Sequence, residues 1–239
     1  MKIRIKFRKF GVMKFIGHLD VMRYFQKAIR RAGIDICYSE GFSPHMIMSF
    51  ASPLGVGLTS SGEYLDIEVR EACSSKDALQ RLNSVMAEGI EVVSFRKIAD
   101  GKASNAMALT AAADYEVRFR EGCAPAEGWQ EDFDRFCSLE SIQVIKKSKK
   151  GEREVDIRPL IYRIERREDC IFMQTAAGSA RNLKPELVME AFAAWAGLSF
   201  PEFAFLVHRL ELYGNTGTEE QRKLVSLESL GEELYLGQA

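Results

Sequence analysis

The stretch KIRIKFRKFG at residues 2–11, followed by HLDVMRYFQKAIRRAG at 18–33, decides the fold class. Basic and apolar side chains alternate from Lys2 to Arg8, which is the period of a strand with one buried face. The second segment changes to a helical period, with an apolar stripe formed by Leu19, Met22, Phe25 and Ile29. Gly33 supplies a helix stop. The chain therefore opens with a strand and an amphipathic helix.

The same patterns continue to residue 98. They predict a strand at 34–38, a strand at 63–69, a helix that Ser74 or Ser75 caps and that runs to Ala87, and a strand at 90–95. The order β-α-β-β-α-β is that of a ferredoxin-like unit, in which two helices cover one face of an antiparallel sheet. Residues 1–98 are therefore predicted to form one such unit.

The remaining chain repeats the order more loosely. Strands are predicted at 115–119, 142–147, 156–165, 170–175 and 205–213, with helices at 128–137 and 187–195, the second entered through Pro185. The sequence thus predicts an α+β protein with two ferredoxin-like βαββαβ halves in tandem, the second at 114–214. Residues 99–113 are small and polar and are predicted to be a linker, and 215–239 an acidic C-terminal tail.

Composition bounds the class of protein. The chain has 239 residues, 46% of them hydrophobic, and a net charge of −1, which is ordinary globular usage. No apolar run approaches the roughly 20 residues that span a bilayer, and the alternating N-terminus is unlike a signal peptide. We expect a cytoplasmic protein with no membrane partner.

The five cysteines, Cys37, Cys73, Cys123, Cys137 and Cys170, are widely spaced and form no C-x-x-C pair. An iron–sulfur cluster needs closely grouped cysteine ligands. The sequence therefore predicts neither a metal site nor a cofactor, and the cysteines are interpreted as small apolar residues in a reducing compartment.

Positive charge is concentrated at the N-terminal end. Residues 1–50 carry ten Lys and Arg against three acidic residues. On the first helix, Arg23, Lys27 and Arg30 share one face, with Arg31 beside them. We expect Lys27, Arg30 and Arg31 to contact phosphates, and the outward side chains of the first strand to form an open basic sheet face; a merely solvated basic surface is the alternative.

Reactive side chains cluster at the start of this helix and in the loop after the predicted second strand. The candidate substrate-binding residues are His18, Asp20, Arg23, Tyr38, Glu40, Phe42, His45 and Ser49. If the loop folds over the helix start, His18 and His45 approach one another and can bind a phosphate or a base edge. The alternatives are that His18 caps its helix and that His45 serves a tight turn; the third histidine, His208, is interpreted as structural.

A second basic group surrounds Gly151. Lys147, Lys149 and Arg158 are candidate phosphate ligands on a mobile hairpin, with Asp156 and Arg158 fixing its base. Acidic residues are interleaved with the basic ones, so a solvated hairpin tip is the alternative.

Several phrases in the sequence carry a family resemblance. FIGHLDVMRYFQKAIRRAG at 15–33, YSEGFSPHMIMSFASPLGVG at 38–57 and GEYLDIE at 62–68 resemble the radical SAM-linked proteins of uncharacterised function, as does KKSKKGEREVDIRPLI at 146–161. Members of that family occur alone or fused to the C-terminus of cobalamin-binding radical SAM proteins. The resemblance implies an association with a radical SAM partner, and the family has no established activity that it could add.

The leading hypothesis is an accessory module that binds RNA or a ribonucleoprotein and presents it to a radical SAM enzyme, with no catalytic residue of its own. One alternative is a metal-independent endoribonuclease resembling the CRISPR RNA-processing enzymes, in which His18 and His45 act as base and acid. The other is a protein–protein scaffold whose basic helix docks on an acidic partner.

Overall fold

The computed structural model describes residues 1–148 and 151–235 and shows a mixed α+β protein. Its helices are α1 (His18–Arg31), α2 (Ser75–Asn83), α3 (Ala106–Leu109), α4 (Trp129–Cys137) and α5 (Pro185–Ala196). Its strands are β1 (Lys2–Lys9), β2 (Met48–Phe50), β3 (Thr59–Glu68), β4 (Ile90–Ile98), β5 (Thr110–Phe119), β6 (Gln143–Ser148), β7 (Gly151–Asp156), β8 (Ile161–Arg166), β9 (Ile171–Ala176), β10 (Phe205–Asn215), β11 (Leu224–Ser226) and β12 (Glu232–Glu233).

Ten of these strands form one mostly antiparallel sheet. Its order is β12-β4-β1-β3-β10-β5-β9-β8, with β2 paired to β3 and β11 paired to β10. At the centre of the sheet β3 pairs with β10 in a short parallel ladder, where His208 lies opposite Thr59 and Arg209 opposite Ser60. Strands β6 and β7 form a separate hairpin. Both parts of the chain therefore share one sheet.

Local signals place the helix ends. Helix α1 ends in a Schellman motif in which Gly33, at φ 62°, donates to the Arg30 carbonyl and Ile34 donates to the Ile29 carbonyl. Ser74 caps α2 by accepting from the Asp77 amide at 3.1 Å. Pro185 occupies the first turn of α5. The predicted stop, cap and entry are confirmed.

Two buried clusters join the helices to the sheet. Ile3, Ile5 and Phe7 of β1 share a buried cluster with Phe25 and Ile29 of α1. A second cluster joins β5 and β9 to α4 and α5 through residues that include Val117, Met173, Phe133, Phe136 and Phe192. The alternation of β1 therefore meets Phe25 and Ile29 of the predicted stripe, whereas Leu19 of that stripe is 61% exposed and Val21 is buried instead.

The predicted strand at 34–38 is wrong. Ile36 and Tyr38 make only isolated bridges, to Val69 and Met46. The strand that pairs with β3 at this edge is β2, ten residues later in the chain than Tyr38. Ile34 and Ile36 are buried while Gly33 and Asp35 are exposed, so this irregular segment has the same alternation as a strand.

Two segments that were predicted to be a linker and a tail contain helices and strands. The stretch 99–113 contains α3 and the first residues of β5, whose small side chains Ala112 and Ala113 are fully buried. The C-terminal stretch adds β11, a 3-10 turn at Leu227–Leu230 and β12, which pairs with β4. Alanine-rich strands hide their period because both faces look alike in composition, and a short docked segment leaves no period to detect.

Candidate functional site

The basic face of α1 is exposed. Lys27, Arg30 and Arg31 are accessible, and no ion pair to them is found within residues 1–148 and 151–235. Arg23 pairs with Asp20 one turn earlier at 3.3 Å, and both side chains are about two-thirds exposed (67% and 64%). An exposed pair of this kind contributes little stability, so its charges stay available to a ligand.

The loop at 38–45 presents an aromatic side chain to solvent. Its ends are bridged by Tyr38 and Met46, and the Ser39 hydroxyl lies 2.8 Å from Nδ1 of His45 and accepts from the His45 amide at 3.1 Å. Phe42, near the tip, is fully exposed, and Glu40 is exposed too. His45 thus serves its own turn, which was the alternative interpretation, and Phe42 is left free to contact a ligand.

His18 has different neighbours. It is the first residue of α1, after an N-cap Gly17 that has no side chain to cap with. Its ring meets Phe50 edge-on, with centroids 5.1 Å apart. Ser49, beside Phe50, lies opposite Asp66 in the sheet. The two imidazoles therefore have separate partners, and the endonuclease alternative gains no support from their contacts.

Of the basic residues predicted around the hairpin, the structure describes the side chain of Arg158. Arg158 is turned inward, where its Nε donates to the Leu139 carbonyl and its Nη1 to the Ile161 carbonyl, both at 2.9 Å. Asp156 accepts from the amides of Ile142 and Arg158, and these two bonds lower the pKa of its carboxyl. Asp156 and Arg158 thus fix the hairpin base. The side chain of Lys147 and the whole of Lys149 lie outside the described residues.

The expected open basic sheet face is wrong. Arg4 is 1% exposed and forms a bidentate pair with Asp66, and Lys6 donates to Glu211 and Glu228 at 2.7 and 2.9 Å. The C-terminal segment covers this face: Leu227 is fully buried and its carbonyl accepts from Arg4 at 3.1 Å. Arg4 and Lys6 are neutralised by carboxylates distant in sequence, so these two cations present no phosphate surface.

A buried polar cluster that the sequence interpretation missed lies where β3 meets β10. Arg209, 2% exposed, binds Glu63 through two bonds of 2.8 and 2.5 Å and donates to the Ser52 carbonyl. Burial lowers the pKa of Arg209, but Glu63 and Tyr115 outweigh it, so the pKa is raised. Burial lowers the pKa of nearby Lys9, and Arg209 lowers it further, while Glu63 opposes.

The sequence signal for this cluster is that each charged residue stands at a position where the strand alternation calls for an apolar side chain. Lys9, Glu63 and Arg209 are each two residues away from a buried apolar residue of the same strand and so point to the same face as it does. These apolar residues are Phe7 in β1, Leu65 in β3 and Val207 in β10. A charged residue in phase with a buried face needs a buried partner. Three such residues on different strands could have been grouped from the sequence.

The comparisons with known proteins identify a family. The model of DUF2344, described as an uncharacterized protein conserved in bacteria, matches residues 2–185. The chain belongs to this family. No curated protein matches the DUF2344 chain.

One solved structure resembles the DUF2344 chain weakly. It is entitled "Crystal Structure of a Cbf5-Nop10-Gar1 Complex", and its TM-score is 0.45 at 11% identity. The match covers 88% of this chain and 48% of the other, so the DUF2344 chain spans about half that chain's length.

Within the described residues, no helix is both long and apolar enough to cross a membrane.

Proposed function

We propose that this protein is an accessory module that binds single-stranded RNA through α1 and the loop at 38–45 and presents it to a radical SAM enzyme. The observation that carries the proposal is the fully exposed ring of Phe42 on a loop closed by Ser39 and His45. An aromatic side chain in water gains free energy when a base stacks on it. The closed loop limits the entropy lost on binding.

Electrostatics supports the same surface. Lys27, Arg30 and Arg31 are exposed on α1, and that helix shares a core with the base of the loop, since Met46 is buried in the cluster that holds Phe25. Lysine and arginine side chains displace counterions from phosphates and give salt-dependent affinity. Under this proposal Arg23, Tyr38 and Glu40 contact the nucleotide beside Phe42, and the three cations of α1 follow the backbone.

The proposal also includes an interpretation of the sheet as two ferredoxin-like units. Strands β4-β1-β3-β2 and β10-β5-β9-β8 each have the order of a ferredoxin-like unit, with antiparallel neighbours throughout. We interpret the fold as two such units joined at the β3–β10 pairing, with β6 and β7 inserted in the second. The radical SAM partner rests on the resemblance of residues 15–68 to the radical SAM-linked proteins.

Fluorescence anisotropy with a labelled pyrimidine RNA of about 12 nucleotides tests the RNA part. For single strands the slope of log K against log salt is about −0.7 per phosphate contact. Replacing Lys27, Arg30 and Arg31 together by Ala should reduce the slope by about 2. Phe42→Ala should weaken binding by about 1–3 kcal/mol at unchanged slope.

Two controls match these variants. Lys102→Ala removes an exposed cation away from α1, and Tyr235→Ala removes an exposed aromatic ring from the C-terminal segment. Both should bind RNA as the wild type does. The RNA proposal fails if the wild type does not bind at about 50 mM salt, a concentration at which phosphate contacts are strong, or if Phe42→Ala binds equally well. A salt-sensitive pull-down of a radical SAM protein without RNA would favour the scaffold instead.

A further inference from the structure

A cavity of about 630 Å³ lies on the C-terminal part of the sheet. Arg158, from the turn before β8, and Tyr162, from β8 itself, line it together with Arg222, which precedes β11. Strands β9 and β10 contribute Gln174 and Tyr213. The volume is within the range of small-molecule sites, about 300–1,000 Å³. No residue of the RNA surface proposed above lines this cavity.

Two guanidinium groups of the lining have no carboxylate partner. The cavity is lined by one acidic residue, Glu140, and no ion pair to Arg158 or Arg222 is found within residues 1–148 and 151–235. The carbonyls of Leu139 and Ile161 hold Nε and Nη1 of Arg158, while Nη2 has no acceptor in the same part of the chain and is not buried. Arg222 is exposed. Guanidinium groups bind phosphate oxygens through paired N–H donors, so this lining favours a phosphate.

The ring of Tyr162 supports the second guanidinium. The Cζ atom of Arg222 lies over this ring, 4.2 Å from its centroid. A guanidinium in this position is attracted by the electrons of the ring, and its N–H groups stay free to donate in the guanidinium plane. Nucleic-acid bases stack on tyrosine rings and on guanidinium planes alike. The pair of Tyr162 and Arg222 therefore offers a flat surface for a base beside donors for a phosphate.

A buried carboxylate fixes the orientation of the polar groups from β9 and β10. Asp114, 8% exposed, accepts from Nε2 of Gln174 and from the Tyr213 hydroxyl, both at 2.8 Å. Because the amide nitrogen of Gln174 is directed at Asp114, its Oε1 is the atom that remains for a ligand, and this atom can only accept. The cavity thus combines phosphate donors, a stacking surface and an oriented acceptor.

We propose that this cavity binds a single nucleotide, whose phosphate pairs with Arg158 and Arg222 and whose base packs on Tyr162 and donates an N–H group to Gln174. Inorganic phosphate would use only the two cations, and a neutral nucleoside only the ring and the acceptor. The proposal goes beyond RNA binding at α1, because the two surfaces share no residue. A free nucleotide and the terminal nucleotide of an RNA chain carry the same chemistry.

Isothermal titration calorimetry at about 50 mM salt with AMP, adenosine and inorganic phosphate tests the proposal. AMP should bind with a Kd between about 10 µM and about 1 mM, as a ligand of its size allows, and the other two at least about tenfold more weakly. Arg222→Ala should weaken AMP about tenfold or more. Arg70→Ala, which removes an exposed cation of the N-terminal half, should change nothing.

Folding is controlled by the choice of variants. Arg222 and Arg70 are both exposed, so both variants should melt at the wild-type temperature. Tyr162→Phe keeps the ring on which Arg222 lies and should bind AMP as the wild type does, whereas Tyr162→Leu keeps an apolar side chain without the ring and should bind several-fold more weakly.

The triple Ala variant at Lys27, Arg30 and Arg31 locates the binding. It should bind AMP as the wild type does, whatever its affinity for RNA. In this variant, an RNA of about 12 nucleotides with a terminal phosphate displaces AMP if the cavity takes the end of an RNA chain, and leaves AMP bound if it takes the free nucleotide. The proposal is overturned if AMP does not bind, if adenosine or phosphate binds as tightly, or if Arg222→Ala retains wild-type affinity.

Discussion

Replacing Arg4 by Ala is expected to be among the most destabilising changes in the N-terminal half. Arg4 and Asp66 are almost completely buried, with side-chain exposures of 1% and 7%. The guanidinium holds both carboxylate oxygens at 2.8 and 3.0 Å and also donates to the carbonyls of Leu227 and Ser104. Arg4→Ala leaves the Asp66 carboxylate with the Ala106 amide and takes the donor from two carbonyls. Removing one member of a buried pair costs about 3–5 kcal/mol.

The same strand offers a matched control. Arg8 pairs with Glu91 at 3.0 Å, but the two side chains are 46% and 49% exposed. Arg8→Ala should therefore cost at most about 1 kcal/mol. Urea denaturation followed by circular dichroism measures both free energies of unfolding. The combination Arg4→Met with Asp66→Leu should recover part of the loss, because no unpaired charge remains buried. Equal losses for Arg4→Ala and Arg8→Ala would refute the reasoning.

Three other predictions concern pH, backbone and helix capping. Burial lowers the pKa of His208 from 6.5, so the unfolded state takes up a proton first as the pH falls below 6.5; stability should decline there, and His208→Gln should flatten the decline in urea titrations at successive pH values. At Gly62 a Cβ would lie 2.7 Å from the Leu210 carbonyl oxygen, so Gly62→Ala should lower the melting temperature clearly while Gly55→Ala, with an ordinary 3.6 Å contact, should not. Ser74→Ala should cost about 1 kcal/mol of unfolding free energy by urea denaturation, since the Asp77 amide loses its cap, whereas an equal stability would contradict the capping role.

Sequence predicted the parts of the fold that depend on neighbouring residues. The Gly33 stop, the Ser74 cap and the Pro185 entry are each encoded within one helical turn. The alternation of β1 and the helical period of α1 are also local, and Ile3, Ile5 and Phe7 meet Phe25 and Ile29 in the core as predicted, although Leu19 is exposed. What a few adjacent residues determine was accessible without coordinates.

Distant partners explain what the sequence did not show. Arg4 has the same alternating pattern as Arg8, yet one is buried and the other exposed, because Asp66 and Leu227 reach only the first. The candidate site divides in the same way. Phe42 and the cations of α1 are exposed, whereas Arg158 is used internally and His18 packs on Phe50. Exposure of a charged residue is a property of the folded chain and of what covers it.

The place of β10 in the sheet matters for how the chain is synthesised. Strands β3 and β5 leave the ribosome long before Phe205–Asn215, which pairs with both of them. Until then each strand has an open edge that another chain could pair with. A fragment ending at residue 185, where the family match ends, would keep those edges permanently. Such a fragment is expected to associate with itself, and the unit that folds therefore extends beyond the matched residues to include β10.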